Sequence, residues 1–141
     1  MVRLRNKWAY LLLAISLIGF TVGAILYNKP HKNIVKAKVA YSLTSADLFN
    51  QFKEDDGQAL KKYRGKVLEV NGSIQTIELD AAHATIILAN EGDFYGVNCS
   101  FNAKQLVGLD KLVVGELVTI KGECQGYIDD VILSNCTLLK K

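Results

Sequence analysis

Two segments of this chain repeat one pattern, and that pattern leaves few folds open. Gly65 to Gly72 reads Gly-Lys-Val-Leu-Glu-Val-Asn-Gly, and Gly115 to Gly122 reads Gly-Glu-Leu-Val-Thr-Ile-Lys-Gly. In each, apolar residues alternate with polar ones: Leu68 and Val70 with Glu69 and Asn71, Val118 and Ile120 with Thr119 and Lys121. A period of two sends one set to a core and the other to solvent. The closing glycines, Gly72 and Gly122, share the inward phase, where a missing side chain lets a strand bend or be approached closely. Two bent strands of this kind predict a small closed barrel.

The surrounding sequence supplies its other strands. They are expected at Lys66 to Leu79, Ala84 to Ala89, Phe94 to Phe101, Glu116 to Tyr127 and Val131 to Leu139. Turn signals at Asp80 to His83, Asn90 to Asp93 and Asp129-Asp130 separate them. The third strand places Tyr95, Val97, Cys99 and Phe101 on one face. After it, Asn102 is placed to cap a short helix with Gln105 as its box partner, and Leu106, Leu109 and Leu112 form an apolar stripe. Three strands, a helix and two strands make the layout of an OB-fold, a five-stranded, partly open Greek-key barrel. The fold class is therefore mainly β with helices.

Ahead of the barrel, Thr44 and Asp47 are spaced as a capping box, and Leu43 and Leu48 as a hydrophobic staple. Leu48 and Phe52 share one helix face, which Leu60 and Tyr63 continue beyond Gly57. The run Glu54-Asp55-Asp56 lacks the alternating oxygen ligands of a calcium loop and reads as a solvated helix end.

Trp8 to Tyr27 contains no charged residue. As a helix, its 20 residues would span roughly 30 Å, the thickness of a bilayer core. Trp8 and Tyr10 at one end and Tyr27 at the other match an interfacial aromatic belt. Two fates stay open: an uncleaved anchor, or a signal peptide cleaved after Val22 and Ala24. The apolar run continues past Ala24 through Ile25 and Leu26, which favours the anchor. The expected organisation is a tip and anchor at 1–28, a basic linker at 29–43 containing Pro30 and His31, and the OB domain with its helix at 44–141. The short basic N-terminus is expected inside, which would put the OB domain in the periplasm or another extracytoplasmic space.

Charge follows the same division. Of 17 basic residues, seven lie within the first 38, where no acidic residue occurs, so ten face 14 acidic residues in the remainder. A net acidic domain is a poor start for binding a polyanion. OB modules that hold single strands need stacking aromatics and a positive groove, yet strand two offers neither and strand three offers no cation. Lys61, Lys62, Arg64 and Lys66 cluster where the helix enters the barrel and read as a solvated rim. Nucleic acid is thus disfavoured as a partner.

Three cysteines offer chemistry. If the last hairpin turns about Asp130, Cys124 faces Cys136, and in an oxidising compartment the pair reads as a disulfide. The other reading is two buried thiols acting as small hydrophobes. Cys99, inward beside Val97 and Phe101, reads as a core cysteine. His83 lies in a separate turn, so a Cys99–His83 nucleophile has little support. Three isolated cysteines and two distant histidines lack zinc spacing, and no phosphate loop, dinucleotide glycine motif or nucleophile elbow occurs. No catalytic residue, metal or cofactor is expected.

Tyr63 to Val70, Gly72, Cys99, and Gly122-Glu123-Cys124 through Asn135-Cys136 resemble, in order, the tRNA-anticodon-binding-like OB family. Tyr27 to Asn33 resembles the linker of its anchored members. The resemblance covers roughly residues 27–141 and implies small bacterial proteins, often exported or membrane-anchored, without catalytic residues. The family name marks a likeness of fold and implies no tRNA binding.

The expected function is a membrane-anchored extracytoplasmic binding or interaction module, not an enzyme. Its partner would be a protein or small ligand, held by the exposed face of strands two and three and nearby loops. Tyr95, Asn98 and Tyr127 are the candidate binding residues. The alternative is a single-stranded nucleic-acid-binding OB protein.

Overall fold

The two echoing segments pair with each other, antiparallel, so that Leu68 stands opposite Gly122, Val70 opposite Ile120 and Gly72 opposite Val118. The computed structural model describes residues 2–27 and 33–140. Its elements are α1 (Val2–Tyr27), β1 (Tyr41–Thr44), α2 (Ser45–Glu54), α3 (Asp56–Tyr63), β2 (Val67–Leu79), β3 (His83–Leu88), β4 (Val97–Asn102), β5 (Leu117–Tyr127) and β6 (Val131–Lys140). The chain divides between Lys32 and Asn33 into two units. Pro30 and His31 lie outside the described residues.

In the first unit, α1 is long and apolar enough over Asn6–Ile25 to cross a membrane, with a mean hydropathy of 2.0 and no part of that window buried. A signal sequence has the same properties.

In the second unit, β2 to β6 close into a barrel of five strands, the OB arrangement the sequence predicts. Within the barrel, β2 serves two neighbours: its first half pairs with β5 and its second half with β3. A register shift between Ile74 and Thr76 marks the second half. An extra residue of that kind bends a strand and strengthens its twist. β4 then pairs parallel with β6, and β6 antiparallel with β5. The inward residues Leu68, Val70, Val118 and Ile120 are all buried, as their phase requires.

α2 and α3 pack on this barrel because their apolar faces have nowhere else to go. Thr44 Oγ1 accepts the Asp47 N–H at 3.1 Å and starts α2. Asp55 Oδ1 accepts the Gln58 N–H at 3.0 Å and starts α3, so the acidic run is the junction of two helices. Leu48, Phe52, Ala59 and Tyr63 are buried and join the barrel core. Each large side chain so buried contributes about 1.5–3 kcal/mol.

Besides the start of the third barrel strand, four details differ from the sequence reading. β1 is an additional strand, parallel to β2, with Tyr41 opposite Leu68 and Thr44 opposite Asn71. At four residues it is too short for its alternation to register. Part of the expected linker is packed: Ile34 is buried, and the Lys121 ammonium donates to the Val35 carbonyl at 3.3 Å. Lys121, expected in solvent, is thereby buried as well. The helix between the third and fourth barrel strands is two 3-10 turns, Ala103–Gln105 and Leu109–Lys111. Gly108, at φ +86°, breaks the helical path between them, and the Asn102 amide donates to Asn135 Oδ1 at 2.7 Å instead of capping. Leu109 and Leu112 still reach the core.

The fourth difference is a correction. Cys124 stands opposite Leu133, not Cys136, and all three cysteines are free and buried. The β5–β6 ladder slips between Lys121 and Glu123 and again between Cys124 and Gly126, and Asn135 takes a positive φ of 52°. The turn centres on Asp129, with Tyr127 opposite Val131, which by itself would set Cys124 opposite Ser134; the slip between Cys124 and Gly126 moves it on to Leu133. The Cys136 sulfur lies instead beside Gly122. The disulfide between Cys124 and Cys136 is not formed.

Candidate ligand-binding cleft

The expected third strand starts three residues late, and the consequence is a binding-type surface. Phe94 and Tyr95 are adjacent, so in a strand one of them would point inward. They belong instead to the loop between β3 and β4, with Phe94 91% and Tyr95 51% exposed. The loop is fixed at both ends. Near its start, the Ala89 N–H donates to the Ser73 carbonyl at 3.2 Å. At its end, the Gly96 N–H donates to Asp130 Oδ1 at 2.7 Å, and the Val131 N–H donates to the Gly96 carbonyl at 3.0 Å. Between them, the Asp93 N–H closes a turn on the Asn90 carbonyl, and the Gln75 amide donates to the Asp93 carbonyl.

These bonds tie the aromatic loop to the β5–β6 turn, where Ile128 is 76% exposed. A cleft of about 390 Å³ opens between the loop, the turn and α2. Gly92 to Tyr95 line one side, Tyr127 and Asp129 another, and Phe49 and Lys53 the third. Phe49 and Lys53 are four apart and therefore share one helix face. Tyr127 is held from behind: it stacks on Phe52 at 5.6 Å between centroids and meets Phe49 edge-on at 6.2 Å. The cleft thus combines aromatic walls with one ammonium (Lys53) and two carboxylates (Asp93, Asp129). It can hold an apolar or planar group and orient it by charge.

Of the residues singled out from sequence, Tyr95 and Tyr127 meet in this cleft. Asn98 does not line it; it sits within β4, between Ile87 and Ile132 on the neighbouring strands. Phe49 and Lys53 carry no site signal in the sequence, and Asp93 and Asp129 read there only as turn residues. The adjacent aromatics directly after the Glu91-Gly92-Asp93 turn were the signal that could have placed the loop.

The remaining reactive groups stand apart. Cys99 is fully buried, whereas His83 is exposed and lines a separate cavity at the β2–β3 hairpin with Glu78, Asp80 and Thr85. Burial pushes the Cys124 thiol up to about 11. The neighbouring Cys136 thiol, together with burial, pushes Cys99 well above the ordinary thiol range.

The tRNA_anti-like family model matches residues 1–138. No curated protein matches the sequence. Among solved structures, a lipoprotein of Klebsiella pneumoniae subsp. pneumoniae, provisionally described as nucleic acid-binding, superposes with a TM-score of 0.61 at 17% identity. That match covers 79% of this chain and 100% of the other. Yeast Stn1 and Ten1 give a TM-score of 0.46 at 14% identity, over 75% of this chain and 65% of the other. An OBody bound to hen egg-white lysozyme gives 0.44 at 16% identity, over 57% and 87%. The first likeness is one of fold.

Proposed function

The chain belongs to the tRNA_anti-like family, and from that premise we propose that it is a membrane-anchored, extracytoplasmic binding module without catalysis. α1 serves as the anchor, and the barrel presents the cleft to a protein or small ligand. The observation that carries this reading is the pair Phe94 and Tyr95, held outward at the mouth of a cleft by the Gly96–Asp130 hydrogen bond. Exposed aromatics on an anchored loop are more typical of recognition surfaces than of a bare domain face. The description of the Klebsiella protein as a lipoprotein supports a location outside the cytoplasm.

Two measurements test it. A topology reporter fused after Lys141 is expected to be active only outside the cytoplasm; cytoplasmic activity refutes the placement. A photo-crosslinking residue at Phe94 in intact cells is expected to capture a protein or small molecule that the same residue at Lys104 does not.

The second reading is single-stranded nucleic-acid binding. The provisional description of the Klebsiella protein favours it, and the sequence-based argument against nucleic acid receives no support from that comparison. Aromatic walls suit base stacking, but among the described residues Lys53 is the one cation lining the cleft, beside two carboxylates. Salt-dependent oligonucleotide binding that is lost in Phe94→Ala and Tyr95→Ala would establish this reading in place of the first.

A further inference from the structure

We propose that a second face of the barrel unit, built from Lys36, Lys38, Lys61, Lys62, Arg64 and Lys66, rests on the anionic lipid headgroups of the bilayer that holds α1. The inference rests on the reading of α1 as an anchor.

All six side chains are exposed, and the fold gathers them from three stretches of sequence. The parallel β1–β2 pairing extends backwards through the Ala40 N–H, which donates to the Val67 carbonyl at 2.8 Å. This leads the chain just after Lys38 alongside the start of β2, next to Arg64 and Lys66, while Lys36 lies in the preceding turn, its N–H closing on the Asn33 carbonyl at 3.1 Å. Lys61 and Lys62 occupy the last turn of α3, where the helix dipole favours cations. The Lys62 ammonium lies 5.5 Å from the Tyr41 ring centroid and 4.9 Å from that of Tyr63, joining α3 to β1. From Asn33 onward the chain has 12 basic and 14 acidic residues, so gathering half of the cations here is a strong local bias. The carboxylates nearest in register are Glu69, which accepts from Ser42, and Glu123, opposite Val67.

Chain connectivity puts this face within reach of a bilayer. Only residues 28–32 separate α1 from Asn33, and a fully extended chain of that length reaches at most about 20 Å. Clusters of four to eight Lys or Arg close to a span are attracted to anionic headgroups. The surface suits lipid better than nucleic acid. Its two rings are engaged: Tyr63 is buried with its hydroxyl on Gln51 Oε1 at 2.6 Å, and Tyr41 packs edge-on to Tyr63 at 5.2 Å. Tyr63 is thereby closed to a base, and Tyr41, 37% exposed, is a single ring where a bound strand needs successive stacking partners.

The test uses the full chain reconstituted into phosphatidylcholine vesicles with and without phosphatidylglycerol. Flotation reports insertion, and lysine acetylation read residue by residue reports the face. The chain is expected to float with both. Labelling of Lys61, Lys62 and Lys66 is expected to fall about threefold or more in anionic vesicles and recover at high salt. Lys53, Lys104 and Lys140 are expected to stay unchanged. The combined variant Lys61→Glu, Lys62→Glu, Arg64→Glu should remove the difference at Lys66; if it fails to fold, the salt dependence of the unaltered chain still decides. Flotation with equal labelling in both vesicles overturns the proposal and leaves the anchor standing. Absence of flotation in either overturns both. Protection of these lysines by an oligonucleotide, with none from anionic lipid, overturns it by assigning the face to nucleic acid.

Discussion

The sulfur of Cys136 lies 2.6 Å from the point where a side chain on Gly122 would begin. A real Cβ could not stand there. The glycine that closes the second echoing segment is therefore a space requirement of the core. Gly72, which closes the first, stands in the same relation to Ser45. The Leu133 side chain at 3.2 Å and the Ser134 carbonyl at 3.4 Å confine the Gly122 site from other directions.

Gly122→Ala is accordingly expected to destabilise the fold by about 1–3 kcal/mol, the usual cost of overpacking a core. Removing the sulfur in Gly122→Ala/Cys136→Ala should recover part of that loss. Denaturant unfolding of both single variants and the pair gives the coupling, and strict additivity would show that the two sites do not collide.

The cysteines predict a pH dependence. Burial raises Cys124 to about 11 from an ordinary value of 9.0. The folded state then holds its proton more tightly than the unfolded state does. Its contribution is fully present below pH 9 and lost as the pH rises towards 11. Cys99, raised in the same direction, adds to the slope. The unfolding midpoint should fall over this range, less steeply in Cys124→Ala. Under non-reducing conditions, all three thiols should react with a labelling reagent only after denaturation.

Phe52 ties the helical cap to the barrel and to the cleft. It is buried, lies 6.0 Å from the Tyr63 ring and stacks on Tyr127. Phe52→Ala should cost about 3–5 kcal/mol in denaturant unfolding. Tyr63→Phe, which removes only the hydrogen bond to Gln51, should cost about 0.5–1.5 kcal/mol.

Asp130 anchors the aromatic loop from 34 residues away. Asp130→Ala should leave the barrel folded at a cost of about 1.5–3 kcal/mol. Hydrogen exchange at the Gly96 amide should accelerate, while amides within β2 and β5 keep their protection. Capture by a crosslinker at Phe94 should weaken in the same variant. Unchanged exchange at Gly96 would mean that the loop is held by other contacts.

Local sequence determined a good deal of this protein. Alternation in the two echoing segments fixed which residues face inward, because a strand's side chains change sides at every step. Thr44 stated where α2 begins, since a helix start needs an acceptor for its free N–H groups. The charge-free run Trp8 to Tyr27 marked the apolar stretch of α1, although the helix itself begins earlier, at Val2. What lay beyond reach was everything decided between distant segments. The cysteine neighbours depend on where the β5–β6 turn centres and where the ladder slips, and neither strand's own alternation states either. Asp130 holds Gly96 at the edge of the cleft, a bond that no periodicity encodes. Tyr95 carried the correct residue type in the sequence, but only the tertiary structure decided that it faces outward.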